Sequence, residues 1–170
     1  MLRNSNLKFI LFPIIVVVML AAILIVVFIN GQPKTPATAE QVHDVLANKG
    51  YTAVDLTDDY RKELGVGDKL INAVSAEVDD IRFVFFVFDS DESAEAVRKQ
   101  YQSFINTNRY AAQNIEISEG ATNFMKYTII AKGLYTINMR VSNTLIFAEC
   151  KEENAGKLSD IMIEIGYFDE

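Results

Sequence analysis

The stretch KFILFPIIVVVMLAAILIVVFIN, from Lys8 to Asn30, limits what this chain can become more than any other part of it. From Phe9 to Ile29 no side chain is charged or strongly polar. About 21 residues at ~1.5 Å rise make a helix of roughly 32 Å, matching the ~30 Å hydrocarbon layer of a bilayer. A core helix of a soluble domain would carry a polar stripe, and this one has none. Pro13 lies near the start of the run, where a missing N–H costs least.

A cleaved secretory signal is the rival reading. Its apolar region would be shorter, about 7–15 residues, and a small-x-small site would follow directly. Here the nearest such site, Ala37-Thr38-Ala39, lies well beyond Ile29, with Pro33 and Pro36 between. No cysteine comes directly after the run, which excludes a bacterial lipoprotein anchor. The expectation is therefore an uncleaved signal-anchor over residues 9–29. Arg3 and Lys8 precede it and no acid does, so residues 1–8 are expected in the cytoplasm and the remainder outside.

Of the charged residues, all 23 acids and all but two of the 16 bases follow the run, so the outer part carries 23 against 14, or -9. Such a domain is a poor match for nucleic acid or anionic headgroups, which need clustered Lys and Arg. The expected partners are the bilayer, through residues 9–29, and a protein, another or the same. No cofactor and no metal are expected. Cys150 is the single cysteine, so an intramolecular disulfide, a CxxC pair and a cysteine metal cluster are ruled out. Flanked by Glu149, Lys151, Glu152 and Glu153, it reads as a small buried hydrophobe.

Residues 30–37 (NGQPKTPA) read as a short extended linker spanning at most about 25 Å, ahead of an outer domain over 38–170. A helix begins at Thr38, where Thr38 and Gln41 have capping-box spacing, and ends at Gly50. Tyr51–Leu56 reads as a short strand and Thr57–Leu64 as one or two helical turns. Leu70–Val78 and Ile81–Asp89 form an antiparallel hairpin around Asp79-Asp80. A second helix over Asp91–Asn106 sets Ala94, Val97, Tyr101, Phe104 and Ile105 on one face. Strands follow near 114–118, 123–131, 134–141 and 144–150, turned at Lys132-Gly133 and Ser142-Asn143. A helix over Glu153–Ile165 closes the chain.

This order predicts an α+β domain: a mainly antiparallel sheet with about three helices packed on one face. Along Leu134–Val141, Tyr135, Ile137, Met139 and Val141 alternate with Leu134, Thr136, Asn138 and Arg140, which predicts one wet face. A weak internal duplication of a hairpin–helix unit is also suggested. Tyr51, Tyr110 and Tyr167 each follow a helix, and Ala94, Val97, Tyr101 and Phe104 correspond to Ala155, Leu158, Met162 and Ile165.

The strand IRFVFFVF breaks the alternation. Phe83, Phe85 and Val87 can face the helices, which turns Val84, Phe86 and Phe88 to the other side. Either the Thr57–Asp68 segment covers that second row, or the row is a partner surface or an apolar groove. Val84, Phe86 and Phe88 are the candidate interaction patch.

Other motifs carry little chemistry. His43, the single histidine, has no triad or zinc partners in view. Asp89-Ser-Asp91-Glu-Ser93 begins like a calcium loop, but Ala94 stands where glycine and Gln100 where glutamate is required; helix capping accounts for it. Gly65-Val-Gly67 does not open a helix as a phosphate loop would. Asp55, Asp58 and Asp59 read as exposed turn acids. Three functions stay open in order: a noncatalytic membrane-anchored interaction domain, a small-ligand or peptide module, and a carboxylate-based hydrolase needing two opposed acids.

Overall fold

A computed structural model describes Met19 and residues 33–109, 115–121 and 123–169. The chain divides into two units, Met1–Gln32 and Pro33–Glu170, and the second carries the fold. The apolar run Phe9–Ile29 lies outside the described residues, Met19 aside. Among the described residues no helix is long and apolar enough to cross a membrane.

In the second unit, α1 (Ala39–Asn48) is followed by β1 (Val54–Asp55), α2 (Thr57–Leu64), β2 (Leu70–Val78) and β3 (Ile81–Phe88). Then come α3 (Asp91–Arg109), β4 (Ile115–Ala121), β5 (Phe124–Ala131), β6 (Leu134–Val141), β7 (Thr144–Lys151) and α4 (Ala155–Glu164). The seven strands form one antiparallel sheet in the order β1-β2-β3-β7-β6-β5-β4. The last strand of the β4–β7 meander returns beside β3, so the two runs of hairpins meet at the centre.

Local chemistry explains the boundaries. Thr38 and Gln41 close the capping box at the start of α1: Gln41 N–H donates to Thr38 Oγ1 and Thr38 N–H to Gln41 Oε1. Gly50 and Gly166 take positive φ after α1 and α4. Each turns the chain so that the next residue folds back, with Tyr51 N–H donating to Leu46 O and Tyr167 N–H to Met162 O. The tyrosines expected after the helices owe their place to this turn; Tyr110 lies outside the described residues.

The helices lie on both faces of the sheet, not on one as expected. On the first face α1 and α4 bring Val42, Leu46, Leu158, Ile161 and Met162 onto Val74, Phe83, Phe85, Ile137, Met139 and Ile146. On the second, α3 and α2 cover Leu70, Ala73, Val84, Phe86, Phe88 and Leu145, and Ile105 seals Tyr127 and Ile129. The cause is β3 itself. A central strand apolar on both sides has to be covered on both sides. The wet face expected on β6 is absent for the same reason: Thr136 and Asn138 are buried.

This arrangement also bears on the internal echo. β3 and β7 pair with Phe85 opposite Ile146, and these two residues share the first face. A twofold relating two antiparallel neighbours stands perpendicular to the sheet and keeps faces unchanged. Yet α3, which follows β3, packs on the second face, and α4, which follows β7, packs on the first. The corresponding positions Val97 and Leu158 sit on opposite sides, so the halves are not related as a duplicated pair. The resemblance is confined to the hairpins and the glycine–tyrosine helix ends.

The β1 edge is guarded by short-range bonds. Leu56 N–H donates to Ala73 O, Ala73 N–H donates to Thr57 Oγ1, and Arg61 Nε donates to Leu70 O, each at 2.9 Å. These groups occupy positions where another strand would otherwise add.

Candidate functional site

The row Val84, Phe86 and Phe88 is no surface patch. The three are 7%, 0% and 1% exposed. Tyr60 of α2 meets Phe86 edge-on at 5.0 Å, and Tyr101 of α3 lies 6.1 Å from it. Tyr101 also stacks on Phe147 at 4.5 Å. The covering expected from Thr57–Asp68 is there through Tyr60, Leu64 and Val66, and α3 adds Ala94, Val97 and Tyr101.

What is open to solvent lies above that row, where α2 and its following turn approach α3. A groove of about 350 Å³ runs between them. Leu64, Val66 and Lys69 line it from one side, and Glu92, Ala96 and Gln100 from the other. Gly65 and Gly67, both at positive φ, let the chain turn sharply around its rim. Buried Val97 also lines it and joins it to the Phe86 cluster. Its lining is about equally polar and apolar, with one cation and one anion at the rim. Such a surface suits a short polar–apolar segment better than a wholly apolar ligand. Sequence periodicity cannot show the groove, because its walls come from elements about 30 residues apart that meet only in the fold.

Under α3 lies a second polar constellation. Arg98 is buried and donates to both oxygens of Glu95 at 2.8 Å, from Nε and Nη2. Its Nη1 donates to Gln102 Oε1 at 2.7 Å. Arg140 of β6 donates to the same Glu95 from Nε at 3.0 Å and to Ser142 O from Nη1. Asn138 Nδ2 donates to Arg98 O at 2.9 Å. The bidentate bond from Arg98 holds the Glu95 carboxyl below the usual glutamate range, and Arg140 adds to this. Lys99, four residues after Glu95, is its outer partner at 3.6 Å. The constellation binds the helix to the polar strip of β6, and both oxygens of Glu95 accept from within the chain.

The remaining candidates resolve one by one. Asp55 accepts from Thr57 N–H at 2.8 Å and from Thr57 Oγ1 at 2.6 Å, bonds that lower its pKa. Asp58 pairs with Arg61 at 3.1 Å. Asp55 thus serves a turn and Asp58 an ion pair. Ser90 Oγ accepts from Ser93 N–H at the start of α3, the capping role expected of the Asp89–Ser93 stretch. His43 is half-exposed beside Asp44, 3.7 Å away. Cys150 is fully buried, and burial pushes its thiol up to about 11. Among the described residues no three His, Cys, Asp or Glu side chains gather to hold a metal ion.

One arrangement was not foreseen at all. Pro33–Ala37, expected to be free linker, is fastened to the domain. Lys34 N–H donates to Asn123 Oδ1 at 3.1 Å and Lys34 O accepts from Asn123 Nδ2 at 2.6 Å. Lys34 Nζ pairs with Asp169 at 3.0 Å and lies 5.5 Å from the Phe124 ring centre. Ala37 N–H donates to the hydroxyl of buried Tyr167 at 3.1 Å. Sequence separations of 89 to 135 residues hide these partners from any local reading.

No family model and no curated protein matches this chain. Among solved structures it is similar to a GTP binding regulator from Thermotoga maritima, at 13% identity and a TM-score of 0.44, over 83% of this chain and 96% of that one. It is also similar to the extracellular domain of PknH from Mycobacterium tuberculosis, at 10% identity and a TM-score of 0.39, over 79% and 96%. Likeness at this level says nothing about activity.

Proposed function

We propose that the chain is a single-pass membrane protein whose outer α+β domain works without catalysis, docking to an envelope protein or to a second copy close to the lipid. The observation that carries this reading is how soon the fold begins after the apolar run. With Lys34 and Ala37 bonded to the domain, only Asn30, Gly31 and Gln32 lie between Ile29 and the fastened segment. Three residues reach about 10 Å. A domain so tethered meets partners at the membrane, not in bulk solvent. The acids nominated from the sequence serve turns, caps and ion pairs, which leaves surface recognition as the better-supported work.

The groove between α2 and α3 favours a second reading, a module that takes a peptide segment or small ligand there. Its rim charges, Lys69 and Glu92, would orient a zwitterionic or mixed segment. A photo-crosslinking residue at Gln100 of the full-length protein in intact cells tests the groove directly. A discrete crosslinked species, lost when Lys69→Glu and Glu92→Lys are introduced singly, is the expected result. Crosslinking that both reversals leave unchanged would remove the groove from the proposal. A carboxylate hydrolase ranks last, because it requires two acids facing across a cleft, and the groove offers Glu92 alone.

A further inference from the structure

The two ends of the sheet are built differently. At one end β1 is two residues long, and bonds from Thr57 and Arg61 guard its surroundings. At the other, β4 is seven residues long, and among the described residues no strand pairs with its outer side. Its backbone polarity follows from the neighbouring turn. Lys132 and Gly133, both at positive φ, join β5 to β6, so the flanking Ala131 and Leu134 exchange main-chain bonds. Bonding alternates along a strand, so Phe124, Lys126, Thr128 and Ile130 bond the other way, to β4. Their partners there are Ala121, Glu119, Ile117 and Ile115. Glu116, Ser118 and Gly120 therefore turn their N–H and C=O away from the sheet. Main-chain groups placed so need water or another strand.

We propose that β4 of a second copy supplies that strand, antiparallel and centred on Ser118, joining two sheets into one. In that register Ser118 meets the other copy's Ser118, Glu116 meets Gly120 and Ile117 meets Glu119. Every residue of Ile115–Ala121 is then paired, and each outward N–H finds a carbonyl. No acid stands directly opposite an acid. The two Glu119 lie on the diagonal, and each has Lys126 opposite it on its own β5. Geometry also favours a second copy over an unrelated strand. The twofold of such a pair stands perpendicular to the sheet and keeps the faces together. Ala37, near the start of the domain, packs into the first-face core. Both domains thus begin on the same side of the joined sheet, as two chains held in one membrane require. The pairing rests on the anchored reading above and gives it a docking surface.

The test uses the full-length protein in membranes of the cells that make it, treated with a short bifunctional thiol reagent. The unaltered chain, whose Cys150 is buried, gives the blank. Ser118→Cys should be recovered mostly as a dimer of this chain. Ala121→Cys alone should stay monomeric, because its two copies would stand roughly 20 Å apart along the strands. Ala121→Cys together with Ile115→Cys should dimerise. Ser118→Pro, added to that pair, removes an N–H that β5 does not use, so β4 keeps its place as an edge strand. The dimer should then fall about tenfold or more. Ser118→Cys left monomeric would overturn the pairing. So would dimers from Ala121→Cys alone as abundant as those from Ser118→Cys, which would mark random collision. A discrete product with a different protein in place of the dimer would give the edge to that partner and overturn the second copy. Ser118→Cys dimers that wash off the membranes in alkaline carbonate would count against the anchor and leave the pairing in place.

Discussion

Replacing Phe86 with aspartate unfolds the domain. Phe86 has no exposed surface, and Tyr60, Phe88 and Tyr101 all lie against its ring. Truncating such a side chain costs about 3–5 kcal/mol, and a carboxylate left in the gap adds a desolvation penalty of several more. A domain of this size holds about 5–15 kcal/mol in all. Far-UV circular dichroism should therefore show loss of the native spectrum, and urea titration should show no cooperative transition. Phe86→Leu, which keeps most of the volume, should lose roughly 1–2 kcal/mol and keep the transition. A folded Phe86→Asp domain that loses only a binding partner would return the row to the surface, as the sequence allowed, and would contradict the position of α3.

Removing Glu95 has the second large effect. Arg98 and Arg140 expose 7% and 13% of their side chains, and both donate to this one carboxylate. Without it two guanidinium groups remain largely out of water, with Asp91 no nearer than 4.0 Å to Arg140. Breaking a buried pair by deleting one partner typically costs about 3–5 kcal/mol, so Glu95→Ala should lose about 3 kcal/mol at neutral pH. Adding Arg98→Met should restore part of the loss, because it removes one stranded charge and keeps an apolar stem against the sheet. The pH dependence has a definite sign. The folded carboxyl sits below its unfolded value, so its contribution is complete above the ordinary glutamate range, about pH 4.3, and is lost as pH falls through the depressed folded value. Asp55 shifts in the same direction. Urea midpoints should be flat from about pH 5 to 8 and fall below that, less steeply in Glu95→Gln. An unchanged midpoint for Glu95→Ala would show that the constellation carries no net stability.

These two residues also show what the sequence discloses. Period-two and period-3.6 patterns revealed the β2–β3 hairpin, the β5–β6–β7 meander and the three longer helices, because each depends on neighbours a few residues away. Gly50 at the end of α1 was legible for the same reason. Which face each helix takes was not. α3 and α4 each carry an apolar stripe, Ala94, Val97 and Ile105 on one and Leu158, Ile161 and Met162 on the other, and neither stripe says which face of the sheet it meets. The doubly apolar β3 did hold that information: a strand buried on both sides requires two layers of cover. The polar strip Thr136, Asn138, Arg140 misled because polar residues usually face water. Here Asn138 donates to the main-chain oxygen of Arg98 and Arg140 to Glu95 once α3 has docked, while Thr136 bonds Glu149 of the neighbouring strand. The groove and the fastening of Pro33–Ala37 depend on contacts between distant parts of the chain, which no local pattern encodes.

The reading stands or falls on where the outer domain lives and what holds it there. Intact cells carrying the full-length protein with a C-terminal tag can be treated with protease, and their membranes then washed with alkaline carbonate. The account predicts that external protease removes the tag without lysis, and that in untreated cells the whole chain, residues 9–29 included, stays in the carbonate-washed membranes. A tag spared until the cells are broken, or a soluble mature chain beginning near Glu40, would contradict it.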